Sequence, residues 1–196
     1  MTSAEAALER LCSPDHEVSA HYLIGQQGQV WQMVDEDQRA WHAGTGSWQG
    51  VDDINSRSIG IELCNDGASP FSAPLMEALG NLLTGIQQRH SITAHGVIGH
   101  SDMAPARKND PGPRFDWARL ARLGLAYAPW SDANLPIDAT LFHDDITRIG
   151  YDAAAPESLS AFRHRTRPWA TGPLDARDMA LARTWAEAVD GPAASA

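Results

Sequence analysis

The chain has 196 residues, 43% of them apolar and 20% charged. That balance fits one medium domain, or one domain with a small module, and excludes a disordered chain. Lys and Arg total 15 against 25 Asp and Glu, a formal net charge of −10, which excludes a phosphate-neutralising nucleic-acid binder and a polybasic membrane-surface protein. No apolar run approaches the roughly 20 residues that cross a bilayer, and two cysteines, Cys12 and Cys64, are too few for a disulfide scaffold.

In chain order, residues 1–12 predict a helix, with Ala4, Ala7, Leu8 and Leu11 at helical spacing, Thr2 or Ser3 as its cap and Ser13-Pro14-Asp15 as its stop. The same stretch has neither a basic n-region nor an apolar h-region, so the chain as written carries no export signal and is expected in the cytoplasm. A lost N-terminal signal would instead place it in the periplasm. Residues 18–24 and 29–34 read as a hairpin turned by Gly25-Gln26-Gln27-Gly28. Residues 42–57 form a long Gly, Ser, Asn and Asp-rich loop of the kind that often carries function. Residues 58–64 are a strand, apolar except for Glu62 and therefore expected to be central. Leu75, Leu79, Leu82, Leu83 and Ile86 give 73–90 a helical period, 97–100 is a short buried strand, and 116–123 is a short helix. After a Pro-containing connector, helices are expected near 138–149, 156–166 and 174–189, separated by Gly150, Pro168 and Gly172-Pro173.

Three segments carry chemistry. Gly99-His100-Ser101-Asp102 through Lys108-Asn109-Asp110-Pro111-Gly112 starts with a His at a strand end and returns an Asp ten residues later. Imidazole nitrogen and carboxylate oxygen are both zinc donors, and the Lys108 ammonium is placed to reach an oxyanion beside the metal. An ordinary salt-bridged surface loop fits the same spacing. Glu62 fits a general base tuned by partial burial, and equally an outward-facing residue on an edge strand. Ala40-Trp41-His42-Ala43-Gly44 fits a sugar or peptide contact, and also a core Trp beside a satisfied His.

Val18-Ser19-Ala20-His21-Tyr22-Leu23-Ile24, Ala40-Trp41-His42-Ala43-Gly44, Asn55 with Ser58-Ile59-Gly60-Ile61-Glu62, and the His100 to Gly112 segment occur together in that order. In this the chain resembles the type 2, AmpD-like N-acetylmuramoyl-L-alanine amidases, relatives of peptidoglycan recognition proteins. The likeness spans residues 1 to about 125. It implies an α/β fold with a central mixed β-sheet flanked by helices, a Zn²⁺ cofactor, and cleavage of the amide between N-acetylmuramic acid, or its anhydro form, and L-alanine. Peptidoglycan or an anhydro-muropeptide is then the partner. It makes His100 and Asp110 metal ligands, Glu62 the residue that activates water, and Lys108 the electrostatic stabiliser. Trp41, His42, Asn55 and Arg107 would contact substrate.

A second likeness covers the remainder. Ile146-Thr147-Arg148-Ile149-Gly150-Tyr151-Asp152, Ser160-Ala161-Phe162-Arg163-His164-Arg165 and Gly172-Pro173-Leu174-Asp175 resemble a small three-helix peptidoglycan-binding module; a generic helical cap is the competing description. The expected organisation is an amidase-like domain over 1–127, a linker over 128–136, the helical module over 137–190 and a tail over 191–196.

One feature departs from the family. Its first zinc ligand is a His on a strand preceding the first helix, and nothing upstream of His16 matches it. His16 is poorly placed, His21 reads as a core or groove residue, and His90 and His95 read as surface. A start site upstream would restore an ordinary zinc amidase with its first strand. A chain complete as written would be a non-catalytic muropeptide or peptidoglycan-binding protein.

Overall fold

The computed structural model describes residues 3–191. Helix α1 (Ala4–Cys12) is capped by Ser3, whose hydroxyl accepts the Ala6 amide at 3.2 Å. Thr2, the other expected cap, lies outside the described residues, as does most of the expected tail. Ala7 and Leu11 bury one face of α1 against Ala20 and Leu23, as the period requires.

Strands β1 (Tyr22–Ile24), β2 (Val30–Gln32) and β3 (Ile61–Leu63) form one mixed sheet in the order β2-β1-β3. The β1–β2 pair is antiparallel and the β1–β3 pair parallel, with Leu23 opposite both Trp31 and Glu62. The fold class is α/β, with helices around a mixed sheet. The strand expected to be central is at an edge: among the described residues β3 pairs only with β1. Its apolar run reflects packing of Ile61 and Leu63 against α2 (Ala73–His90). Ser72 caps α2, and its buried face is Leu75, Met76, Leu79, Leu83 and Ile86. Phe115 together with Trp117 and Leu120 of α4 (Trp117–Arg122) joins that layer.

The strand expected at 97–100 is also absent. Two of its backbone groups go to side chains: the Val97 carbonyl accepts from Arg165 at 3.0 Å, and the Gly99 amide donates to Asp102 at 2.8 Å. The chain then turns at once into α3 (His100–Met103). His95 is half-buried, its ring stacked on Tyr127 with centroids 4.2 Å apart, and is not the surface residue expected.

The C-terminal part holds α5 (Ala139–Ile149), α6 (Ser158–Thr166) and α7 (Ala176–Asp190). Phe142, Ile146, Ile149, Phe162, Met179 and Trp185 pack together, and the same apolar cluster takes in Trp48, Ile54 and Met103 from the preceding part of the chain. No helix among the described residues is long and apolar enough to cross a membrane.

Glu36, after β2, ties the sheet to the end of α2. It accepts hydrogen bonds from Tyr22 Oη at 2.7 Å and Arg89 Nε at 3.0 Å, and His90 Nε2 lies 2.7 Å away. The Arg89 guanidinium holds the carboxyl down to about 2 from its ordinary 4.5. A lowered carboxyl pKa stabilises the fold above its unfolded value, and that contribution is lost as pH falls through the folded one. Glu36→Gln is therefore expected to lower the melting temperature at pH 7, and the gap to wild type should close between pH 4.5 and about 2. Thermal melts across that range check it.

Candidate active site

Helix α3 is a single turn, and His100 is its first residue, capped by Gly99. The following loop is drawn back by its own backbone: the Ser101 amide donates to the Asp110 carbonyl at 2.8 Å, and the Lys108 amide to the Ala104 carbonyl at 2.9 Å. His100 Nε2 lies 2.9 Å from the His42 carbonyl. A carbonyl only accepts, so Nε2 carries the proton and Nδ1 is the nitrogen that faces outward. Nδ1 meets Asp110 Oδ2 in a short ion pair.

Burial alone would lower the His100 pKa, but the hydrogen bond and charge of Asp110 more than offset it and the net shift is upward. Burial would raise Asp110, and its hydrogen bond to His100 brings it down instead. Each group thus holds the other charged, with one proton between two zinc-type donors.

Glu62, in the middle of β3, lines the same cavity as His42, His100, Lys108 and Asp110. The cavity measures about 960 Å³ and runs on against apolar side chains of α2 such as Leu79 and Leu83. The charge of Glu62 is felt at His100 and that of Lys108 at Asp110. Neither the Glu62 nor the Lys108 side chain makes a hydrogen bond or ion pair among the described residues, and both residues are half-buried. A carboxylate and an ammonium held in a cleft without partners are free to act on a bound molecule.

The loop leaving Trp41 forms one wall. Asn55 Oδ1 accepts from the His42 amide at 3.0 Å and the Ala43 amide at 2.8 Å. Arg107 Nη2 donates to the Ala43 carbonyl at 2.8 Å and the Thr45 carbonyl at 2.7 Å, gripping the loop from its other side. Gly44, at φ +66°, sits beneath that guanidinium. These polar atoms of Asn55 and Arg107 therefore shape the wall. Asn55→Ala orphans two amides, one of them buried, and is expected to cost about 1–3 kcal/mol, read by denaturant unfolding.

The His42 ring packs on Gly60, where a Cβ would come within 2.3 Å of ring carbon. Burial first, then the neighbouring His21 and His100, hold its pKa down to about 4, so it is neutral at pH 7. The Ser58 hydroxyl is spent on the Ile54 carbonyl at 2.6 Å, which leaves its oxygen to accept from His42 Nε2 at 3.4 Å. His21 is a core residue: its Nδ1 accepts the Gly60 amide at 2.9 Å and its Nε2 donates to the Gln38 carbonyl at 3.0 Å. With both nitrogens committed it has no lone pair for a metal. Trp41 is 56% exposed, with the Arg39 guanidinium 4.2 Å from its ring centre.

Sequence reasoning missed Gly60 and Arg39. Gly60 had a signal, a glycine inside a strand pattern, which marks close approach; Arg39 had none. His100 and Asp110 fit zinc in kind. Among the described residues, however, no group of three or more His, Cys, Asp or Glu converges, whereas a catalytic zinc usually takes three protein ligands.

Comparison with known proteins bears on this arrangement. The family model described as N-acetylmuramoyl-L-alanine amidase matches residues 1–113. N-acetylmuramoyl-L-alanine amidase AmiD of Escherichia coli K12 is 33% identical over 88% of this chain and 75% of its own length. The 1,6-anhydro-N-acetylmuramyl-L-alanine amidase AmpD of Citrobacter freundii is 42% identical over 54% of this chain and 57% of its own, so the chain spans little more than half of that relative. Among solved structures, the E. coli AmiD complex with anhydro-N-acetylmuramic acid-L-Ala-D-gamma-Glu-L-Lys superposes with a TM-score of 0.87 at 31% identity, covering 95% of this chain and 85% of that one. AMPDH3 of Pseudomonas aeruginosa with anhydromuramic pentapeptide gives 0.81 at 30% identity, covering 93% and 86%. The motifs, the fold and these matches agree, and the chain belongs to the N-acetylmuramoyl-L-alanine amidase family.

Proposed function

We propose that the protein hydrolyses the amide between N-acetylmuramic acid, or its anhydro form, and the L-alanine of the stem peptide. The observation that carries this is the meeting of His100, Asp110, Glu62 and Lys108 on one cavity in a chain of the amidase family. His100 through Nδ1 and Asp110 through its carboxylate are the residues that would hold zinc. When bound, zinc supplies Lewis-acid stabilisation of the scissile carbonyl and acidifies water.

The chain's own groups account for the remaining chemistry. Glu62 takes a proton from the attacking water as the new C–O bond forms. It then gives that proton to the alanine nitrogen, so the amine leaves neutral as the C–N bond breaks. Lys108 offsets the negative charge that gathers on the carbonyl oxygen, and its ammonium is worth most in a cleft that excludes water. The 41–45 loop, held by Asn55 and Arg107, borders the site, with Trp41 offering a ring to the sugar or peptide.

A second function is favoured by the count of two converging zinc-type ligands: a protein that holds muropeptide without cutting it. Metal dependence separates the two. The zinc-supplemented protein is expected to release free L-alanyl peptide from muramyl-L-alanyl peptide. Dialysis against a chelator should abolish release and added zinc restore it, read as new primary amine. Binding of the same peptide without amine release, with or without zinc, would favour the binder.

A further inference from the structure

The His100 turn is four residues long, too short to hold its shape unaided, yet Ser101, Asp102 and Met103 are buried. What fixes it comes from the C-terminal helices. Asp102 is 1% exposed. Its Oδ2 accepts the Gly99 amide at 2.8 Å and Arg165 Nη2 at 2.5 Å, and its Oδ1 accepts Tyr151 Oη at 2.6 Å. Tyr151 follows α5, and Arg165 belongs to α6.

Arg165 does more than neutralise Asp102. Its Nη2 also donates to the Val97 carbonyl and its Nη1 to the Tyr127 carbonyl, both at 3.0 Å. Its guanidinium lies 3.6 Å from the centre of the Trp117 ring. One side chain from α6 thus holds the residues on both sides of Gly99. The Gly99 amide, immediately before His100, is held by the carboxylate that Arg165 and Tyr151 hold in turn.

We propose that Arg165, Tyr151 and Asp102 are positioning residues for His100, and that the C-terminal helices serve the site by bracing this turn. Besides its Nδ1 pair with Asp110, the His100 ring is then set at two points. One is the bond from Nε2 to the His42 carbonyl. The other is the backbone anchor through Asp102, and without it Nδ1 loses its fixed direction toward Asp110. Partners that orient a ligand in this indirect way typically change metal affinity or activity by about 10–100-fold when removed. The inference concerns ring order and stands apart from the identity of the substrate.

The test uses the full chain with Arg165→Lys and with the milder Tyr151→Phe, which removes one oxygen and keeps the ring packed. The control is Arg183→Met, which breaks a contact to Asp145 between α7 and α5; among the described residues the Arg183 side chain makes no hydrogen bond or ion pair with α3. The primary readout is the nitrogen-15 NMR signature of the His100 ring without added metal, assigned with His100→Gln and set beside melting temperature. Tyr151→Phe is expected to broaden or split the Nδ1 and Nε2 signals and to lower kcat about 10-fold with KM within about twofold. Arg183→Met should leave the ring signals and kcat unchanged whatever its melting temperature. Unaltered His100 signals in folded Tyr151→Phe would overturn the proposal, even if Arg165→Lys fails to fold. So would an equal change in Arg183→Met.

Discussion

Glu62→Gln is expected to lower kcat by about 10²–10⁴-fold, the usual worth of a positioned acid–base group. The substitution keeps size and hydrogen-bonding capacity and removes the basic lone pair and the charge. Glu62 is on an edge strand and its side chain makes no hydrogen bond or ion pair among the described residues, so the fold loses nothing specific with the substitution. KM and melting temperature should therefore stay near the wild-type values while turnover collapses. Steady-state kinetics alongside thermal melts separate these effects. A variant that keeps its turnover would move the acid–base role to another group lining the cavity. Loss of turnover together with melting temperature would make Glu62 a structural residue.

The largest expected loss of stability comes from Arg163→Met. Asp178 is fully buried at 0% exposure, and Arg163 meets it at 2.5 Å through Nη2 and 3.1 Å through Nε. Arg163 also donates to the Gly172 and Pro173 carbonyls at 2.7 and 2.8 Å. Methionine fills much of the volume but leaves the carboxylate with only Arg167 at 3.2 Å and the Asp175 amide at 3.1 Å, and strands two carbonyls. Removing one partner of a buried pair typically costs about 3–5 kcal/mol because the other charge stays buried. In a chain of this length that corresponds to a fall in melting temperature of about 6–20 °C. Asp190→Asn is the contrast. Asp190 and its partner Arg148 are 55% and 43% exposed, Arg148 keeps its second partner Asp145, and solvent screens such an exposed pair so that its loss costs little. Equal losses from the two variants would contradict the assignment of Arg163 to the interior.

Much of this molecule was legible in the sequence, and the unread parts share a cause. Helices α1 and α2 were readable because their buried faces repeat at helical spacing, so period and packing agree. That Glu62, His100, Lys108 and Asp110 would meet on one cavity was readable because they sit in ordered motifs whose residue types each have chemical use. The edge position of β3 was not, since an apolar run looks the same whether it faces another strand, a helix or a cavity wall. The absence of the strand expected at 97–100 was hidden for a related reason. What takes its carbonyl is Arg165, 68 residues further on, inside a basic Arg163-His164-Arg165 stretch that locally resembles the solvated last turn of a helix. Burial of Arg163 and Arg165 is a tertiary fact with no local signature. The shared core has the same character: the apolar positions of α5 to α7 were recognisable, but not that Trp48 and Met103 complete their cluster.

The most direct measurement is mass spectrometry of anhydro-muramyl-L-alanyl peptide after incubation with the zinc-supplemented protein. The expected result is two products, anhydro-muramic acid and a peptide with a free N-terminal L-alanine, absent in Glu62→Gln and His100→Ala. Intact ligand recovered with the protein, or cleavage at any other bond, would contradict an amidase acting through Glu62, Lys108, His100 and Asp110.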